Sequence, residues 1–200
     1  IKNEILDIDL NLPTFQTIAI YGNSGVGKTS LLRILSGLDN YSSNIIKYNQ
    51  TIWQNNQIFV PTYKRKIAYV FQEYNLFNHL TIFNNLYTVA KRFNLTKDDV
   101  IAISDKLNIT HLFKRMPYKL SGGEKQRLSL GRILLMNTEV YLLDEPSSAL
   151  DKETEGIVIS TLYTHVKETN KTLIMVSHST EVADGYSDCI IKMRSEEHTS

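Results

Sequence analysis

The chain has 200 residues, 42% hydrophobic and 10% aromatic, enough for one sizeable core and too apolar for wholesale disorder. Its 22 Lys and Arg against 21 Asp and Glu leave a formal charge of +1, which excludes a general electrostatic pull toward nucleic acid or acidic membranes. A single cysteine, Cys189, excludes an internal disulfide and a cysteine metal cluster, and no run approaches the roughly 18 apolar residues of a membrane span.

The chain opens at Ile1 without a signal-peptide pattern, so a fragment of a soluble intracellular protein is the expectation. Ile18–Tyr21 is a short apolar run that stops at Gly22, after which Leu31, Leu32, Ile34, Leu35 and Leu38 fall on one helical face. Strand, glycine-rich turn and helix together open an α/β domain. Residues 40–66 are rich in Asn, Tyr and β-branched types and read as short strands and turns, with Lys64-Arg65-Lys66 as a solvated turn. Ile67–Phe71 is a further strand, ending at Gln72. From 74 to 119 the pattern turns helical. Ile82, Leu86, Val89, Ala90 and Phe93 mark a first helix, Val100–Leu107 a second, and Glu124–Met136 a third that starts behind two glycines. Strand signals return at Val140–Leu143, Thr172–Val176 and Cys189–Ile191. An α/β core with a mostly parallel, buried sheet and a helical insertion fits this order. Arg194–Ser200 (RSEEHTS) resembles translated sequencing-adapter sequence and is expected to be a non-native tail.

Chemistry concentrates at a few places. Gly22-Asn23-Ser24-Gly25-Val26-Gly27-Lys28-Thr29 matches G-x-x-x-x-G-K-[ST] in full, between a strand and a helix. Its glycines let backbone N–H groups wrap a polyphosphate, and the helix N-terminus adds a favourable dipole. Lys28 would meet the β- and γ-phosphates, and the Thr29 hydroxyl would ligate Mg²⁺. Asp144 and Glu145 end a buried strand: Asp144 can hold Mg²⁺ through water, and Glu145 can orient and deprotonate the attacking water. Ser121-Gly122-Gly123-Glu124 has the form of a capping box, which accounts for Ser121 and Glu124 but not for paired glycines in a first turn. Glycine there permits close approach by a ligand, so cap and phosphate site both stand. Gln72 can contact the metal or the water, and His178 can sense the γ-phosphate; each is otherwise an ordinary strand-end polar residue. His111, His165 and His198 have no comparable setting.

These motifs, in this order, resemble the nucleotide-binding subunit of ABC transporters across nearly the whole chain. Gln72 fits the Q-loop, Leu120–Arg127 the signature sequence, Ser148–Asp151 the D-loop and His178 the switch histidine. The resemblance implies a P-loop NTPase with a RecA-like core at about 1–72 and 138–193, a small antiparallel β part, and a helical subdomain at about 73–137. It implies a catalytic Glu145 assisted by His178 and Gln72, and Mg²⁺ held through Thr29, Gln72 and Asp144. It also implies a head-to-tail dimer, homomeric in the simplest case, around two ATP, with Ser121, Gly122 and Gly123 acting on the ATP of the second copy. Transmembrane permease subunits would dock near Gln72–Thr81, placing the protein peripherally on the cytoplasmic face of the plasma membrane, with a solute-binding protein as an indirect partner and no nucleic acid. Tyr74 and Phe77 are aromatic candidates for that docking and equally for packing the subdomain.

Val70–Thr81 is similar to importers of oxyanions, sugars and polyamines, and Pro61–Tyr69 (PTYKRKIAY) most resembles molybdate importer ATPases. Asn78 departs from that pattern, where proline is usual. Molybdate import is the leading expectation. An ATPase for other imported solutes, for export or for lipoprotein release is the alternative within transport. A soluble ABC ATPase acting on ribosomes or DNA is the alternative outside it. No adenine-stacking residue is legible upstream of the glycine loop, Phe15 lying too close to it.

Overall fold

A strand that is apolar on both faces is stable only where both faces of its sheet are covered. The computed structural model describes residues 9, 11–12, 16–41, 44–70, 74–177 and 184–194. In chain order they form β1 (Thr17–Gly22), α1 (Lys28–Ser36), β2 (Ile46–Tyr48), β3 (Thr51–Gln54), β4 (Ile67–Val70), α2 (Ile82–Arg92) and α3 (Lys97–Lys106). The rest comprises α4 (Gly122–Leu134), β5 (Val140–Asp144), α5 (Lys152–Glu168), β6 (Thr172–Val176) and β7 (Cys189–Met193). The main sheet has the order β4-β5-β6-β1-β7, every neighbouring pair parallel, and β2 pairs with β3 in a separate antiparallel hairpin. The expected parallel, buried α/β sheet is therefore present.

Alternation along each strand divides its side chains between two cores. Ile18, Ile20, Val140, Leu142, Ile174 and Val176 pack with Leu31, Leu32 and Ile34 of α1 and with Ile46 and Trp53 of the hairpin. Ala19, Tyr141, Leu143, Leu173 and Met175 face the other way, into a core shared with α2 to α5. Each fully buried Leu or Ile contributes about 1.5–3 kcal/mol relative to exposure. The edge strand β7 is only half covered, with Ile190 among the exposed side chains. Among the described residues no helix is long and apolar enough to cross a membrane.

Several boundaries differ from expectation for local reasons. Helix α1 stops at Ser36, because Gly37 turns left-handed, so Leu38 leaves the helical face and is exposed. Helix α3 starts at Lys97 rather than Val100, since Thr96 and Asp99 form a reciprocal capping box. Helix α4 begins at Gly122 rather than Glu124, behind the same device at Ser121 and Glu124, and ends at Leu134 rather than Met136. Strand β4 ends at Val70, and Phe71 lies outside the described residues. Helix α5 had no counterpart in the sequence reading. Its β-branched run Ile157-Val158-Ile159 masks a helical stripe of Val158, Ile159, Leu162 and Val166, all buried, behind an Asp151 cap. His165 on α5 is not idle either: its Nε2 lies 3.2 Å from the Tyr141 hydroxyl, and burial, joined by the Lys106 and Lys171 charges, lowers its pKa.

In the loop before α2, the fully buried Asn85 side chain donates to the carbonyls of Phe77, Leu80 and Thr81 and accepts from the Phe77 N–H, all at 2.9–3.1 Å. Phe77 is 37% exposed with the Arg132 guanidinium 4.4 Å from its ring centroid, so it packs and faces solvent at once.

The Lys64-Arg65-Lys66 turn is solvated only at its lysines. Arg65 is 3% exposed and donates to Val60 O at 2.7 Å, Leu35 O at 2.7 Å and Ile34 O at 3.1 Å, between the rings of Trp53 and Phe59. Burial lowers this guanidinium to about 10, which leaves it charged at neutral pH. It ties the end of α1 to the hairpin and closes carbonyls that the helix itself leaves open. Arg65→Leu orphans Leu35 O and Val60 O, at about 1–3 kcal/mol each, partly offset by removing a buried charge. A net loss of about 2–4 kcal/mol in urea unfolding is expected; an unchanged midpoint would remove Arg65 from that role.

Candidate functional site

The parallel sense of β1, β5 and β6 brings their carboxyl ends to one edge of the sheet, where open α/β sheets bind ligands. Val176 is the register partner of both Ile20 and Asp144, and the Ser177 N–H donates to Ile20 O at 3.1 Å. The glycine loop after β1, the two carboxylates at the end of β5 and the start of the segment after β6 therefore meet.

Gly25 and Gly27 sit at φ +81° and +94°, values that make the loop turn back on itself and that L side chains rarely adopt. Gly27 caps α1 without a side-chain acceptor, leaving the positive end of the helix facing the loop. Asn23, Ser24 and Gly25 are exposed, Val26 is half-buried, and Gly22 is buried at the end of β1. Lys28 is 5% exposed, and its Nζ donates to Gly22 O and Asn23 O, both at 2.8 Å. The ammonium is thus held inside the loop by two uncharged acceptors.

Asp144 is 2% exposed, its Oδ1 has no hydrogen-bond partner among the described residues, and the Thr29 hydroxyl is near enough to lower its carboxyl. Burial raises the Asp144 carboxyl above its ordinary range, helped by the Glu145 charge, while Thr29, Lys28 and the Tyr69 hydroxyl pull it down. Burial likewise raises the Tyr69 phenol, and the Asp144 charge raises it further. An orphaned carboxylate oxygen beside a threonine hydroxyl is a hard oxygen donor set that fits Mg²⁺.

Glu145, half-buried, leaves β5 at φ +52°, a conformation unusual for a residue with a side chain. Its N–H donates to Val176 O at 3.2 Å and its carbonyl accepts from Gln126 Nε2 at 3.1 Å. At the start of α4 the Ser121 N–H donates to Glu124 Oε2 at 2.7 Å, and the Glu124 N–H returns to the Ser121 hydroxyl at 3.3 Å. Burial pushes the Glu124 carboxyl up, but Ser121 and the Arg115 and Arg127 charges outweigh it and hold it below its ordinary range.

Beside the expected approach by a ligand, the glycine pair has close neighbours within the chain. A Cβ at Gly123 would lie 3.2 Å from Leu150 Cδ2 and 3.3 Å from Ala149 O, so glycine here lets α4 sit against the turn after Glu145. A Cβ at Gly122 would meet the Tyr74 hydroxyl at 3.4 Å, placing Tyr74 over the same helix start. Asp151, in the predicted D-loop, serves as the α5 cap, accepting the Thr154 N–H at 2.9 Å. Gln72 and His178 lie outside the described residues. Sequence reading gave Tyr69 and Gln126 no role: Tyr69 ends the Pro61–Tyr69 segment and Gln126 lies within the signature sequence Leu120–Arg127, but nothing local shows what either side chain meets.

A family model described as ABC transporter matches residues 5–148. The chain is 38% identical over 192 residues to the molybdenum import ATP-binding protein ModC of Methylococcus capsulatus, covering 94% of this chain and 53% of that protein. It is 41% identical over 179 residues to the protein of the same name from Pasteurella multocida, covering 88% and 50%. The chain thus spans about half the length of the curated relatives it matches. Among solved structures, the dimeric structure of MJ0796, a bacterial ABC transporter cassette, superposes with a TM-score of 0.80 at 25% identity, covering 94% of this chain and 84% of that one. A glycine loop, paired carboxylates and a glycine-started helix on a parallel sheet, matched over most of its length, make this chain a member of the ABC transporter family.

Proposed function

We propose that this chain is the ATP-binding and ATP-hydrolysing domain of an importer subunit, with molybdate or a related oxyanion as the solute. One observation carries the reading most: Lys28 held within its loop, near an Asp144 carboxylate that keeps a buried oxygen free of partners among the described residues, with the Thr29 hydroxyl close by. The names of the ModC relatives support the solute.

In this reading, Gly22–Thr29 hold the triphosphate, the loop N–H groups donating to its oxygens while Lys28 exchanges two carbonyls for the β- and γ-phosphates. Thr29 and Asp144 would hold Mg²⁺, with Gln72 as a further ligand, and the bound ion neutralises charge developing on the phosphoryl oxygens. Glu145 orients the attacking water and takes its proton; Gln72 and His178 assist by hydrogen bonding to the water and the γ-phosphate. Ser121, Gly122 and Gly123 act on the ATP of a second copy, closing a dimer around two nucleotides. The core comprises about 1–72 and 138–193, and the helices of about 73–137 form the subdomain that meets permease subunits at the cytoplasmic face of the membrane.

Ser121→Arg separates the two sides of that dimer. Arginine at the cap obstructs a second nucleotide, so ATPase activity is expected to fall at least about a hundredfold, the scale of one lost transition-state donor. ATP binding by the monomer, measured calorimetrically, should stay unchanged; loss of that binding would refute action on the second copy. The reading as a whole is tested by purifying the full-length tagged protein from detergent-solubilised membranes. A multi-span permease in stoichiometric amount, with ATPase activity raised by molybdate and a solute-binding protein, is the expected outcome. Recovery with ribosomes or DNA would overturn the transport assignment.

A further inference from the structure

We propose that Gln126 is a positioning residue that ties the Glu145 turn to helix α4 and thereby couples the two nucleotide sites of the dimer. The inference rests on the ATPase reading above. Gln126 is 5% exposed and lies one helical turn beyond Gly122 and Gly123. Its Nε2 donates to Glu145 O at 3.1 Å, and its Oε1 accepts the Ala149 N–H at 3.2 Å. A single amide thus spans both ends of the turn that follows β5.

The turn is also held by the Glu145 N–H on Val176 O at 3.2 Å and by the Ser147 hydroxyl, which donates to Glu155 Oε1. The Ser148 N–H reaches Glu145 O at 3.3 Å and the Leu150 N–H reaches Ser147 O at 3.0 Å. It starts from Glu145 at φ +52°, a conformation that costs on the order of 1–3 kcal/mol without glycine and persists only where surroundings enforce it. Helix α4 supplies the part of that enforcement that comes from the signature segment. Gly123 lets the helix approach Ala149 and Leu150 closely, and Gln126, three residues on and so on the same helical face, bonds the turn at that contact.

The consequence lies in which nucleotide each end serves. Glu145 acts on the ATP of its own glycine loop, whereas the start of α4 acts on the ATP of the second copy. Gln126 joins the two within one protomer. A displacement of α4 on engaging the second copy's nucleotide reaches the turn through two hydrogen bonds, one at Glu145 O and one at the Ala149 N–H, a contiguous mechanical path.

The test uses the full-length protein. Gln126→Met keeps the volume and deletes both bonds; Gln126→Glu keeps the acceptor for Ala149 and deletes the donor to Glu145. In Gln126→Met, amide hydrogen exchange of residues 145–151 is expected to rise about tenfold, with exchange of 22–36 unchanged. The kcat for ATP is expected to fall at least about tenfold in both variants with KM within about threefold, since phosphate binding is untouched. Gln126→Glu should retain the Ala149 protection while losing kcat. Unchanged exchange at 145–151, a uniform rise over the whole chain, or wild-type kcat in both variants would each overturn the proposal. A wild-type protein that binds ATP without hydrolysing it overturns the proposed function and the catalytic half of this inference; the exchange result still decides whether Gln126 holds the turn.

Discussion

Lys28→Ala is expected to abolish measurable ATP binding. The Lys28 ammonium is held by Gly22 O and Asn23 O at 2.8 Å each, with no carboxylate bonded to it among the described residues, so its strongest partners would be the phosphates themselves. Charge-assisted hydrogen bonds to two phosphate groups contribute about 1.5–3 kcal/mol each, and their joint loss weakens binding by a factor of about 10²–10⁴. Folding should survive, because alanine preserves helix propensity at the start of α1 and the core beneath it rests on Leu31, Leu32 and Ile34. Isothermal calorimetry with ATP reads the affinity directly, and circular dichroism checks the fold. Tight binding retained in a folded variant would remove Lys28 from the phosphate site.

Glu145→Gln should separate binding from hydrolysis. The substitution keeps size and shape, and the bonds that hold position 145 run through its backbone, to Val176 O and from Gln126. The left-handed turn is therefore retained and the nucleotide loop is untouched. What disappears is a carboxylate able to take a proton from water, a loss of about 10²–10⁴ in rate. The variant should bind ATP, hydrolyse it at least about a hundredfold more slowly, and accumulate as a closed dimer detectable by light scattering. Hydrolysis at the wild-type rate would exclude Glu145 as the base; slow hydrolysis without dimer accumulation would exclude closure by ATP alone.

Much of the molecule was legible along the chain. The strand before Gly22, the eight-residue glycine loop and the helix beyond it are local features, and backbone geometry alone couples them. Two-sided burial of the strands was equally readable, since Val140–Leu143 and Thr172–Val176 are apolar without alternation. The same locality explains the failures. Helix α5 went unread because its β-branched run hides the spacing of Val158, Leu162 and Val166, which only their packing in the sheet core reveals. Arg65 looked solvated because a lone cation among lysines gives no sign of the carbonyls that receive it.

By itself, then, the sequence determined the family, the parallel α/β class and the glycine loop between β1 and α1, all properties of contiguous residues whose spacing is set by covalent geometry. Only the tertiary structure decided that Asp144 keeps a buried oxygen without a partner among the described residues, that Gly123 makes room for Ala149 and Leu150, and that Gln126 grips the turn carrying Glu145. Each of these depends on segments brought together by strand order, and hydrogen-bond satisfaction in a buried site is fixed by such neighbours rather than by the residue's own type.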